Sequence, residues 1–174
     1  SWNLEVVNGA AYATQSAHNS LESTTIFAPR GVITDMHGVV LAQNSARPDG
    51  TLGRQYIFPS LSQIIGYVSY PKKDSSGVYY DTSETGVTGL EAEYDTILAG
   101  KNGQLLIETD ALGHVRSQGI IVPAIEGNAL QLSIDVELEQ ALAHAIADTV
   151  TAHHFIAGAG VIMDTQTGAV RAIV

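Results

Sequence analysis

Apolar positions follow a helical period most clearly over residues 135–152, where Leu138, Leu142, Ala145, Ile146, Thr149 and Val150 fall on one stripe. Asp135 stands where a capping side chain accepts the first free N–H groups, and Glu137 and Glu139 occupy the positive first turn. This is the strongest predicted helix. A second is predicted over 88–100, with Leu90, Tyr94, Ile97 and Leu98 at i, i+4, i+7 and i+8 and Gly100 at its end. Ser60 as an N-cap predicts one or two further turns that stop at Gly66. Leu4, Val7, Ala11 and Tyr12 also keep helical spacing, but Gly9 interrupts them and a frayed lead-in segment is expected there.

Short apolar arms bounded by turn residues predict strands. Residues 31–34 and 39–42 flank Asp35 and Gly38, the residue types that open and close a tight turn, and so predict a hairpin. The same chemistry joins 105–109 to 114–122 at Asp110 and Gly113, and 159–163 to 169–174 at Asp164 and Gly168. Residues 67–70 and 129–134 are further extended runs, whereas 45–53 and 71–85 are polar, carry Gly or Pro, and are expected to be loops, the second a mobile one. The Asp-to-Gly hairpins stand at unequal separations with different elements between them, which excludes a repeat architecture. The predicted class is α+β: short strands and hairpins with two main helices.

Composition narrows the partners. Eighteen Asp and Glu face eight scattered Lys and Arg, a net charge of −10, so there is no basic stripe for nucleic acid. The absence of cysteine rules out disulfides and thiolate metal sites. No apolar run reaches the roughly 18 residues of a membrane span. The chain begins at Ser1, which reads as a processing point or an engineered boundary.

Candidate chemistry is sparse. Ser69 and Lys72 fit the Ser-x-x-Lys pattern of serine acyltransferases, but Pro71 between them sits in a predicted loop rather than the helix turn that would bring oxygen to amine. His153 and His154 are adjacent, and adjacent helical residues diverge by about 100°, so they are read as solvated histidines near a helix end rather than metal ligands. The glycines of Gly86–Gly89, Gly100–Gly103 and Gly158–Gly160 do not follow a strand and open a helix, as a phosphate cradle requires. Arg30 could pair with Asp35 across its hairpin or be held by a neighbouring segment. Glu91 could be an outward carboxylate favoured by its helix dipole.

In order along the chain, these motifs resemble the non-catalytic N-terminal part of a class B penicillin-binding protein, its dimerisation or pedestal domain. "VVNGAAYATQSAHNS" is similar to the juxtamembrane stretch through Val7, Gly9, Tyr12, Ser16 or Ala17, and Asn19. "RGVITDMHGVVLAQN" matches the family's R-G-x-I-x-D-x-x-G-x-x-L-A-x-N through Arg30, Gly31, Ile33, Asp35, Gly38, Leu41, Ala42 and Asn44. "GVTGLEAEYDTILAGKNG" matches a second motif through Gly86, Gly89, Glu91, Leu98, Gly100 and Gly103. "IEGNALQLSIDVELEQ" resembles the strand and helix start, including Asp135, that close the pedestal, and "GAGVIMDTQTGAVRAIV" the first hairpin of a transpeptidase domain. Met36 and His37 replace the family's usual Arg and Asn, and Thr165 a usual Pro.

The resemblance implies an elongated pedestal over 26–155, a juxtamembrane segment over 1–25, and over 156–174 a hairpin that begins another domain. It further implies an upstream membrane anchor, placement at the extracytoplasmic face of a bacterial membrane, and a downstream D,D-transpeptidase domain carrying the catalytic serine. Within this chain it implies no catalytic, cofactor or metal residue. Arg30, Gly31, Asp35, Gly38, Gly86, Gly89, Glu91, Gly100, Gly103 and Asp135 would serve structure and interdomain contact, with Glu91 an internal brace near Arg30. Expected partners are the transpeptidase domain, a membrane glycan polymerase and other cell-wall proteins. Without its neighbours the terminal hairpin would dock on the pedestal or pair copies into a homodimer. The rival readings are a self-sufficient serine acyltransferase using Ser69 and Lys72, and a free envelope module that recognises glycan or protein.

Overall fold

The computed structural model describes residues 20–48, 51–110 and 114–174; the helical spacing over 4–12 and the juxtamembrane motif lie outside them. Contacts divide the chain into two compact units. The smaller holds the described residues up to Phe27 together with Asn102–Ile125, and the larger holds Ala28–Lys101 and Glu126–Val174.

The smaller unit is one antiparallel sheet. Strand β1 (Ser20–Ile26) and β10 (Val115–Val122) both pair with the central β9 (Gly103–Thr109). At the β9 end the Asp110 carboxylate accepts the His114 N–H at 2.9 Å, and the rest of the predicted turn, Gly113 included, lies outside the described residues. Register shifts at Val115/Ser117 and Ile120/Val122 bulge β10, a common device on edge strands.

The larger unit is built on a four-stranded sheet in the order β11–β2–β3–β4, from β2 (Ile33–Thr34), β3 (Val40–Ala46), β4 (Leu52–Tyr56) and β11 (Leu130–Gln131). β2 and β3 form the predicted hairpin: the Asp35 carboxylate accepts the N–H groups of His37 and Val39, both at 2.8 Å, and Gly38 takes φ +86°. The core is Ile33, Leu41 and Ala42 from this sheet, Leu61 and Ile65 from a 3-10 turn (Pro59–Leu61) and α1 (Ser62–Ile65), and Leu98, Ile134 and Val136.

Parts of two expected loops form short strands. Within 45–53, Ser45 and Ala46 extend β3 and Leu52 and Gly53 open β4, with Ala46 opposite Leu52. Within 71–85, β6 (Lys72–Lys73) pairs with β7 (Tyr79–Asp81), and β8 (Thr85–Gly86) pairs with β5 (Val68–Ser69). Asp74 and Gly77 close the β6–β7 turn just as Asp35 and Gly38 close the first, with the Asp74 carboxylate accepting from Ser76 and Val78 at 2.9 Å each.

The helix expected over 88–100 is broken into α2 (Gly89–Glu93) and α3 (Asp95–Leu98), because the chain turns at Tyr94 to present the Asp95 carboxylate to the Gly86 N–H at 2.8 Å. The extended run 129–134 contributes only Leu130–Gln131 as a strand. The long helix α4 (Val136–His153) starts as predicted, Asp135 accepting from Glu137 and Leu138, and ends with His154 at φ 54°. Its stripe is only half-covered: Leu138, Leu142, Ile146 and Val150 are partly buried while Ala145 and Thr149 are exposed. Strands β12 (Val161–Met163) and β13 (Val170–Ile173) form the terminal hairpin, which packs within this same unit with Ala172 fully buried.

Candidate functional site

Arg30, in the extended segment before β2, and Glu91, in the first turn of α2, are 61 residues apart in sequence and both are fully buried. Arg30 Nε donates to Glu91 Oε2 at 2.6 Å and Nη2 to the Glu91 carbonyl at 2.8 Å, while Nη1 lies 2.7 Å from Asp95 Oδ1. The other Glu91 oxygen accepts from Arg54 Nε at 2.8 Å, and Arg54 Nη2 donates to the Gly31 carbonyl at 2.8 Å. Two guanidiniums and two carboxylates thus balance inside the unit, joining β4, α2, α3 and the extended segment that leads into β2.

The electrostatics follow from burial. Burial pulls the Arg30 pKa down, but its hydrogen bonds to Glu91 and Asp95 and their negative charges outweigh this and hold it above the ordinary value. Glu84 lies beside the cluster; burial raises its carboxyl, opposed by the positive charges of Arg30 and Arg54. Burial, then the Glu91 charge, also pushes the Tyr56 phenol well up. The cluster works as a brace: its guanidinium donors go to carboxylates and backbone carbonyls.

Glycines let the surrounding backbones close on this brace. A Cβ on Gly31 would lie 1.8 Å from the Asn128 carbonyl oxygen, and one on Gly86 would lie 1.9 Å from the Glu91 carbonyl that Arg30 holds. Gly89 has φ +62° and its Cβ would meet the Ile64 carbonyl at 2.4 Å, so it is excluded on both counts. Gly100 follows α3, and Gly103 begins β9 in the smaller unit, outside the cluster.

Asp35 and Asp135 form a second hub. Besides the turn, Asp35 Oδ2 accepts the Val136 N–H at 3.3 Å, and Asp135 Oδ2 lies 3.4 Å from His37 Nε2, so the first hairpin and the start of α4 hold each other. Met36 is also used, its carbonyl accepting from the Gln131 amide at 3.0 Å and its sulfur lying 3.3 Å from Arg171 Nη1.

Of the predicted residues, Arg30, Gly31, Gly86, Gly89 and Glu91 meet in the brace and Asp35, Gly38 and Asp135 in the hub. An Arg30–Asp35 pair does not form: the short turn aims Asp35 at its own N–H groups, whereas Arg30 reaches across to α2. Glu91 is inward rather than outward. Arg54 and Asp95 were not anticipated; the Leu52-x-Arg54-x-Tyr56 alternation is the signal that sets Arg54 on the same strand face as two large side chains. Ser69 Oγ donates to the Thr85 carbonyl at 3.4 Å, Lys72 is exposed in β6, and no hydrogen bond joins the two among the described residues. The described residues also contain no cluster of three or more metal-ligating side chains.

Residues 47–132, which run from the β3–β4 turn through the second motif to β11, match the family model described as the penicillin-binding protein dimerisation domain. The chain carries a penicillin-binding-protein dimerisation domain. The peptidoglycan D,D-transpeptidase MrdA of Escherichia coli K12 is 30% identical over 131 residues, covering 70% of this chain and 20% of that protein. A crystal structure of Pseudomonas aeruginosa PBP2 is similar with a TM-score of 0.60 and 26% identity, over 88% of this chain and 30% of that one. A structure of a peptidoglycan synthase complex that coordinates polymerization and crosslinking shares the fold with a TM-score of 0.66 at 24% identity, over 99% of this chain and 42% of that one. The chain spans about a fifth of the length of the curated relatives it matches.

Proposed function

We propose that this chain is the non-catalytic scaffold of a penicillin-binding D,D-transpeptidase in peptidoglycan synthesis. It positions a catalytic domain at the extracytoplasmic face of the cell membrane and offers a surface to a membrane glycan polymerase. The observation that carries this reading is the brace: the family's motif residues Arg30 and Glu91 are consumed in a closed, charge-balanced cluster with Arg54 and Asp95. A cluster of that kind fixes backbone segments against one another, which supports a scaffold role. The likeness to a complex that couples polymerization and crosslinking supports the partner.

Ser69 and Lys72 supply the competing reading, and one experiment separates them. The purified chain is incubated with a fluorescent penicillin, and its retention by a detergent-solubilised membrane glycan polymerase is measured in parallel. The scaffold reading expects binding to the polymerase and no covalent adduct. An adduct on this chain that disappears in Ser69→Ala would overturn it, and failure to bind the polymerase would overturn the partner assignment.

A further inference from the structure

Glu139, in the first turns of α4, is fully buried and stands apart from the brace. One carboxylate oxygen accepts the Ile173 N–H at 2.7 Å, and the other meets no protein donor. That single bond falls on a strand edge. One side of β13 pairs with β12, Ile173 standing opposite Val161. On its other side no strand pairs with it among the described residues: the Arg171 carbonyl accepts the Asp135 N–H at 2.8 Å and the Val170 carbonyl accepts the Ser133 hydroxyl at 2.8 Å. The start of α4 completes the ladder, and Glu139 supplies the acceptor for Ile173.

The charged groups around it are committed elsewhere. On α4 itself, Asp135 caps the helix and faces His37, and Glu137 is exposed. On the terminal hairpin, Arg171 Nη2 pairs with Asp164 at 3.1 Å and Nη1 reaches the Ser133 carbonyl at 3.3 Å. On the first hairpin, Asp35 is spent on the N–H groups of His37, Val39 and Val136. Burial therefore raises the Glu139 carboxyl, opposed only by the Ile173 N–H, and no charged neighbour offsets it.

We propose that Glu139 is a proton-sensitive latch: neutral, it holds the terminal hairpin on α4, and on ionising it weakens that hold. A buried carboxylate without a counter-charge is costly, whereas the neutral acid still presents a carbonyl oxygen to Ile173. Because the docked state holds the proton more tightly than the opened one, the latch is at full strength below the ordinary value of 4.5 and is lost as pH rises through the higher docked value. The inference is independent of the scaffold reading.

The test is amide hydrogen exchange at Ile173 in the whole chain, unmutated and as Glu139→Gln, from about pH 4 to about pH 8, corrected for intrinsic exchange, with titration of the Glu139 carboxyl alongside. In the unmutated chain the Ile173 opening constant should rise with pH, tenfold for each unit by which the carboxyl titrates above 4.5. In Glu139→Gln it should stay flat at the acid value. Parallel profiles for the two chains, or a variant that opens more readily than the unmutated chain at neutral pH, would overturn the proposal. So would a Glu139 midpoint at or below 4.5, a readout that needs no variant.

Discussion

Replacing Glu91 by glutamine keeps the shape of the brace and deletes its central charge. Arg30 retains Asp95 at 2.7 Å, so the loss falls mainly on Arg54, whose remaining contacts are the Arg30 carbonyl at 3.5 Å and the Gly31 carbonyl at 2.8 Å. Breaking a buried pair by removing one partner costs about 3–5 kcal/mol, and with one arginine still paired the expectation is the lower end, about 3 kcal/mol. For a chain of this size that corresponds to a fall in Tm of about 6–12 °C. Differential scanning calorimetry with urea unfolding at constant m measures it. If the desolvated Arg54 charge is the cause, adding Arg54→Met to Glu91→Gln should recover most of the loss, giving a large coupling in the double-mutant cycle. A folded Glu91→Gln chain within about 1 kcal/mol of the unmutated one would refute the reasoning, since an unpaired buried guanidinium cannot be that cheap.

Gly31→Ala drives a methyl group into the Asn128 carbonyl at 1.8 Å, and a lowered urea midpoint should show a cost at or beyond the upper end of the about 1–3 kcal/mol typical of overpacking. Asp35→Ala leaves the buried Val136 N–H without its acceptor and should cost at least about 1.5–3 kcal/mol, the worth of one hydrogen bond to a charged group, with Asp35→Asn recovering part in the same assay. Asp164 is held down at about 2, first by the Gln166 N–H, then by Thr167 and Arg171. Its contribution is therefore present above the ordinary value of 3.8 and is lost as pH falls through about 2, so Asp164→Asn should flatten the acid side of the Tm profile over that interval.

The elements that were legible in the sequence are those whose signal is local. Asp135 followed by a 3.6-residue stripe gives α4 its start, and Asp35 with Gly38 gives the first hairpin, because the chemistry lies within four residues. The β6–β7 turn carries the same signal at Asp74 and Gly77, but three serines and two lysines around it read as loop, and strands of two or three residues are too short to show a period. Tyr94 was hidden for the opposite reason: Leu90, Tyr94, Ile97 and Leu98 keep perfect helical spacing through a break imposed by Asp95 reaching to Gly86. The motif made Arg30 and Glu91 visible as residues, but not their partners. Arg54 belongs to no local pattern that distinguishes a buried cation from a surface one, and only the fold brings its guanidinium within 2.8 Å of Glu91.

The shortness of the strands explains why the larger unit spends charges in its interior. β2, β5, β6, β8 and β11 are two residues long, so each ladder contributes few backbone bonds and specifies register weakly. A buried ion cluster is a poor source of net stability compared with apolar packing. Its value here is geometric: Arg30 and Arg54 donate to the carbonyls of Glu91 and Gly31 as well as to carboxylates, and so pin backbone positions that the ladders leave loose. The glycines at 31 and 86 then let those backbones approach to the distances the guanidiniums span. On this account the apolar double replacement of Arg54 and Glu91 would preserve stability yet widen the range of arrangements among α2, β4 and the extended segment leading into β2. That appears as faster hydrogen exchange at Gly31, whose N–H is held by the Leu98 carbonyl at 2.8 Å, without a matching fall in Tm. Unchanged exchange at Gly31 in a stable double variant would mean that the core alone sets the arrangement.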